Sequence, residues 1–156
     1  MKKSWLYRLF GVGTIPRKLR PTLEAEGILV ADEGMGGRVI FRNVRGPGKR
    51  YVYRIQGFSG WLVVTRTRVV CHALGKRQIH IPLDDPKMAA LSVDVPAEHR
   101  LSIAFESADF RKGWNGRIEY RFNTDKAFQF CDALWAAGAQ RKGDAEIDDG
   151  VDGVLK

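Results

Sequence analysis

Apolar side chains recur at every second position through most of this chain, and at helical spacing only near its two ends. Between residues 60 and 73, Trp61-Leu62-Val63-Val64 and Val69-Val70-Cys71 flank the polar break Thr65-Arg66-Thr67-Arg68, a pattern that predicts a hairpin. Trp61, Val63 and Thr65 fall on one side of the first strand and Leu62 and Val64 on the other, so it is expected to be covered on both faces. Upstream, residues 28–33, 38–44 and 50–56 are expected strands. Gly34-Met35-Gly36-Gly37 reads as flexible, Gly46-Pro47-Gly48 as a hairpin turn, and Gly57-Phe58-Ser59-Gly60 as a turn into the central hairpin. Downstream, 78–83 places Ile79, Ile81 and Leu83 on one side and His80 on the other. Three more segments alternate cleanly: Leu91, Val93 and Val95; Leu101, Ile103 and Phe105; Ile118, Tyr120 and Phe122. Their intervening residues, among them Ser102, Ala104, Arg117, Glu119 and Arg121, predict an antiparallel sheet with one face in water.

One convincing helix follows. Thr124 suits its N-cap, Asp125 the positive end of its dipole and Gly138 its stop. Ala127, Phe128, Cys131, Leu134 and Trp135 form a stripe expected to cover an open end or face of the curved sheet. The first 23 residues read as a separate basic amphipathic segment. Trp5, Leu6, Leu9 and Phe10 recur at helical spacing, with Lys2, Lys3, Arg8, Arg17, Lys18 and Arg20 around them. Such a segment either lies on a membrane surface or packs on the domain, and both readings stay open. The expected organisation is therefore 1–23, a domain over 24–138, and a mobile acidic tail over 139–156.

Charge sharpens this picture. The 156 residues suit one core, and the net charge of +8 comes entirely from the first third: residues 1–54 hold twelve Lys or Arg against four Asp or Glu, and 55–156 hold fourteen of each. A localised basic excess points to acidic partners or to a solvated surface. Cys71 and Cys131 lie in apolar surroundings, as free thiols of a reduced cytosolic chain do. No stretch approaches the roughly 18 apolar residues of a membrane span. Met1-Lys2-Lys3 opens like a signal peptide, but Arg8 interrupts the apolar run, so the N-terminus is read as uncleaved. The expected location is cytoplasmic, with peripheral contact at the inner membrane face left open.

The motif Gly60-x-Leu62-x-Val64-Thr65-x-x-Arg68-Val69-Val70, the later Ile79-x-Ile81-Pro82 and the helix over 124–137 together resemble the pleckstrin-homology-like superfamily, closest to its GRAM-type and bacterial members. The region 38–54, with Asn43 and the Gly46-Pro47-Gly48 turn, is similar to bacterial proteins of this type as well. The resemblance covers roughly 24–137. It implies a mainly β fold, a pleckstrin-homology-like antiparallel barrel or two near-orthogonal sheets capped by one C-terminal α-helix, and a binding module rather than an enzyme. Lipid-binding members use basic residues around their first hairpin; here the matching Arg66-x-Arg68 spacing sits in a later one.

The candidate site follows from hairpin parity. If 38–73 is a meander, alternate turns share an end of the sheet, which brings the 46–48 and 66–67 turns about 10 Å apart. Arg45, Lys49, Arg50, Arg66 and Arg68 then converge on one rim, a cluster suited to phosphate or to an acidic protein segment. Lys2, Lys3, Trp5, Phe10, Arg17, Lys18 and Arg20 are the expected membrane or partner contacts. Peptide addition to a strand edge and homo-oligomer assembly are alternatives. Single-stranded nucleic acid is disfavoured because Tyr51, Tyr53 and Ile55 share a strand face expected to be core. Phe110 and Trp114 lie in a loop that either contacts a partner or folds back over the barrel. Catalysis finds little support. His72, His80 and His99 are scattered, adjacent Cys71 and His72 point to opposite strand faces, and Gly48-Lys49 precedes Arg50 where a phosphate loop needs Ser or Thr. The run Asp144 to Gly150 misplaces the glycine and lacks the final Glu of a calcium loop, no Cys or His spacing fits zinc, and no metal or cofactor is expected.

Overall fold

Two long strands take the place of the four short ones expected in the N-terminal half. The computed structural model describes residues 3, 4, 8, 9, 11 and 13–141; Lys2, Trp5 and Phe10 lie outside them. Strand β1 (Ile28–Gly46) and strand β2 (Lys49–Thr65) pair antiparallel through both glycine-rich stretches, with Met35 opposite Gly60, Gly36 opposite Ser59 and Gly37 opposite Phe58. Two of the glycines, Gly37 and Gly60, are there for close approach. A Cβ on Gly37 would come within 2.3 Å of the Arg121 carbonyl and 2.7 Å of the Phe58 ring, and one on Gly60 within 2.2 Å of the His72 carbonyl. Such positions admit glycine and keep the chain extended. The expected turn at 57–60 is therefore strand.

Strands β3 (Arg68–Ala73), β4 (Lys76–Pro82), β5 (Ser92–Ala97), β6 (Arg100–Glu106) and β7 (Asn115–Asn123) follow, and a two-residue β8 (Gln140–Arg141) ends the described chain. They form one sheet in the order β4-β3-β2-β1-β7-β6-β5-β8, antiparallel except for β5 with β8. The fold is mainly β, a single sheet curled into a half-barrel. The barrel or pair of sheets expected from the sequence is here continuous, because β1 pairs with β2 on one side and with β7 on the other.

The concave face holds the main core, where Val39, Leu62, Val69 and Ile79 from one half meet Val93, Leu101, Ile103 and Phe122 from the other. The C-terminal helix, α2 (Ala127–Ala136), buries Ala127, Phe130, Cys131 and Leu134 against it. Phe128, expected on that stripe, is 60% exposed, and Phe130 takes the buried place because 127, 130, 131 and 134 keep the three- and four-residue spacing of one face. The Thr124 hydroxyl accepts the Lys126 N–H at 3.1 Å and donates to Asp32 at 2.7 Å, so it ties the helix approach to β1. Gly138, at φ 108°, ends the helix. Residues 139–141, expected in a mobile tail, instead pack: Ala139 is buried, and Arg141 lies 4.3 Å from the centre of the Trp135 ring.

On the other face, helix α1 (Arg20–Glu26) and the residues before it seal a second cluster, Ile15 and Leu23 against Trp61, Val63 and Val70. A boundary at residue 23 therefore cuts through packed structure. The expected division of β2 holds, with Trp61 and Val63 on one side and Leu62 and Val64 on the other, both covered. The expected wet face of the C-terminal strands does not: Ser102, Ala104 and Glu119 are buried.

Candidate functional site

The single basic rim is divided between opposite ends of the molecule. With no turn at 57–60, parity reverses, and the 46–48 and 66–67 turns are separated by the length of β2, roughly 50 Å for an extended strand of its length. At the far end, Arg68 donates to both Glu26 oxygens, at 2.8 and 2.9 Å, and lies 3.1 Å from His80 Nε2. That hydrogen bonding holds the Glu26 carboxyl below its usual range. Partial burial, and then Arg77 and Arg68, depress the His80 pKa. Arg66 lies along Gly27, where a Cβ would meet its side chain at 3.0 Å. Arg68 therefore clamps the end of α1 to β3 and is not free for an anion.

The N-terminal candidates divide similarly. Lys3 is bound to Asp32 and to the Glu33 carbonyl, and Arg20 reaches both Glu33 oxygens at 2.6 Å. Glu33 also accepts the Ile15 N–H at 2.8 Å. Lys3 and Arg20 thus fasten the segment to the domain, whereas Arg17 and Lys18 are exposed and pair with no described carboxylate.

Arg45, Lys49 and Arg50 stay together at the β1–β2 hairpin end, exposed and without an ion pair among the described residues. The fold adds neighbours that sequence reasoning did not select. Arg54 lies 4.9 Å from the Tyr51 ring centre, and that ring packs on Phe41 at 5.5 Å. Trp114 folds back on the hairpin, so close that a Cβ on Gly46 would sit 2.3 Å from its ring, and the Arg111 guanidinium lies over the same ring, 5.2 Å from its centre. Phe110 turns inward onto Phe105, 4.8 Å between ring centres. Asn43, at φ 51°, and Gly116, whose Cβ would meet the Asn43 carbonyl at 2.3 Å, let β7 press against this part of β1.

The largest departure concerns the expected core face of Tyr51, Tyr53 and Ile55. Val52 is 68% exposed, and Tyr53 and Ile55 are also exposed. β3 pairs only with Trp61 to Val64, so the outer edge of β2 over 49–57 has no strand beside it among the described residues. No strand or helix among the described residues covers those side chains, as a short, enclosed strand would require.

Beside them on β1 and β7, Arg38 stands opposite Arg121 and Arg42 opposite Arg117, with Glu119 between the two rows. Glu119 accepts Arg42 at 2.9 Å, Arg121 at 2.8 Å and the Ser102 hydroxyl at 2.7 Å. These hydrogen bonds outweigh burial and lower its pKa to about 2. The spacing Arg38/Arg42 and Arg117/Arg121 was visible in the sequence; that the two strands are neighbours was not.

Among the described residues no group of three or more His, Cys, Asp or Glu could hold a metal ion. A cleft of about 200 Å³ is lined by Lys3, Asp32, Asn123, Asp125 and Lys126; there Lys3 pairs with Asp32, Asp125 with His99, and Lys126 donates to the Ala31 carbonyl. No helix among the described residues is long and apolar enough to cross a membrane. No protein-family model matches the sequence, and no curated protein matches it.

Proposed function

We propose that this chain is a non-catalytic binding module of the pleckstrin-homology-like type, and that its β1–β2 hairpin end meets an anionic membrane surface. The fold part of this reading is supported by the strand order with its C-terminal helix across the concave face. The observation that carries the binding part is the company Arg45, Lys49 and Arg50 keep. They have no ion pair among the described residues, Arg54 and Arg111 join them, and Val52 stands 68% exposed in the same hairpin. Basic side chains gain about 1 kcal/mol each at an anionic bilayer, and an apolar residue among them adds insertion. Neutralising three should weaken vesicle binding about a hundredfold.

Co-sedimentation with phosphatidylserine-containing and neutral vesicles tests this. The intact chain should bind the anionic vesicles, release them as salt rises, and lose binding when Arg45, Lys49 and Arg50 are all changed to Ala. Failure of the intact chain to bind at low salt would sink the membrane reading. The edge of β2 that has no strand beside it among the described residues favours a second reading, addition of a protein segment as a further strand through main-chain hydrogen bonds, and such an interface would respond weakly to salt and survive the triple change.

A further inference from the structure

Like charges directly opposite each other across paired strands are destabilising, and this sheet places two such pairs two rows apart, Arg38 with Arg121 and Arg42 with Arg117. One glutamate between them, Glu119, engages Arg42 and Arg121. That leaves Arg38 with no ion pair among the described residues, and Arg117 with only Glu106 at 3.7 Å. The strip therefore carries four arginines against one carboxylate within it. The facing arginines belong to neighbouring strands, whose spacing of about 4.8 Å lets two such side chains reach one phosphate. Along β1 the strip is bordered by β2, where Tyr53 lies opposite Arg42 and Ile55 opposite Ile40, both exposed.

We infer that this arginine strip binds the phosphodiester backbone of a single-stranded nucleic acid, with a base stacked on Tyr53. Backbone charge and a sequence-tolerant aromatic platform are the two elements such binding requires. The strip runs along the face of β1 and β7, away from the hairpin turn, so an extended polyanion follows it more readily than a planar bilayer meets it. A second copy of the chain would bring four more arginines to the same strip and be repelled. The inference is independent of the hairpin-end reading, since it uses none of Arg45, Lys49 and Arg50.

The test is fluorescence anisotropy of the full chain with a labelled oligodeoxynucleotide of about 16 nucleotides at several salt concentrations. Binding at low salt should weaken steeply as salt rises. The R38A/R117A variant should bind at least tenfold more weakly, with a log–log salt slope shallower by about 1.4. Tyr53→Ala should cost about tenfold. Arg38→Ala alone, at an exposed position with no ion pair among the described residues, guards against a folding defect in the double variant, and an unchanged thermal midpoint qualifies either. Changing Arg45, Lys49 and Arg50 should leave the affinity within a few fold. Absence of binding at low salt would overturn the inference. So would binding that ignores R38A/R117A, or equal binding of inorganic polyphosphate with Tyr53→Ala silent. Loss of vesicle binding, without oligonucleotide binding, in the strip variant would reassign the face to lipid.

Discussion

Glu119 shows how much a single side chain can carry here. It is 5% exposed, yet its carboxylate is satisfied by Arg42, Arg121 and Ser102, which makes a polar sheet face dry without leaving a buried charge unpaired. Its folded pKa of about 2 lies below the ordinary 4.5, so its contribution to stability is complete above about pH 4.5 and is lost as the pH falls toward 2. Glu119→Gln should therefore lower the unfolding free energy at pH 7 by about 2–3 kcal/mol, and the gap from wild type should shrink through that window; urea titrations at a series of pH values would read it. A gap independent of pH would mean that packing, not charge, is what Glu119 supplies. At Gly60, a methyl group would strike the His72 carbonyl. Gly60→Ala should cost about 1–3 kcal/mol by forcing β2 and β3 apart, seen as a lower midpoint in urea.

Among the elements, α1 and the residues leading to it behave as a lid on the outer face of β2, held by Ile15 and Leu23 from above and by the Arg68–Glu26 and Arg20–Glu33 pairs at its ends. Trp61 is buried beneath this lid and stacked on His72, and the same strand a few residues earlier, at Ile55 and Tyr53, is exposed. Leu23→Ala should cost about 2–4 kcal/mol, a loss expected of a core residue and not of a free terminal segment. In α2 the contrast is internal. Phe130→Ala should cost about 3–5 kcal/mol, whereas Phe128→Ala should stay within about 0.5 kcal/mol; equal losses would contradict the face assigned to the helix.

For the whole molecule, the continuous sheet makes one core from both halves of the chain, and both cysteines lie within it. Burial pushes the Cys71 thiol up and the Cys131 thiol up to about 12, so neither supplies thiolate at neutral pH. Ellman's reagent should label the native chain only as fast as it opens, and modest urea should accelerate both thiols together if the sheet unfolds as a unit. Rapid labelling of one thiol in native buffer would show that the half-barrel opens locally. The charge distribution acts at the same scale: the basic excess of residues 1–54 is partly matched by internal pairs at Lys3, Arg20 and Arg42, and, Arg17 and Lys18 aside, much of what has no ion pair among the described residues gathers along the β1–β2 ribbon and its border with β7.

The amino-acid sequence by itself determined what depends on neighbours along the chain. The two-residue period at 60–65, 78–82, 101–106 and 117–122, the opposed faces of Trp61 and Leu62, the Gly46-Pro47-Gly48 turn and the C-terminal helix all follow from side chains a few residues apart. Local cues failed where meaning depends on what stands opposite. Gly57 and Gly60 look like a turn until β1 is laid beside them, and then both are strand, Gly60 being the place where β3 passes too close for a side chain. That one difference reversed the hairpin parity and divided Arg45, Lys49 and Arg50 from Arg66 and Arg68. Tyr53 and Ile55 have the alternation of a buried face, but burial requires a covering layer, and only the tertiary structure decides that α1 stops short of them. Arg38 and Arg121 are more than eighty residues apart in sequence; a hydrogen-bonded pairing of β1 with β7 makes them neighbours, because strand registry is a long-range contact that no local period encodes.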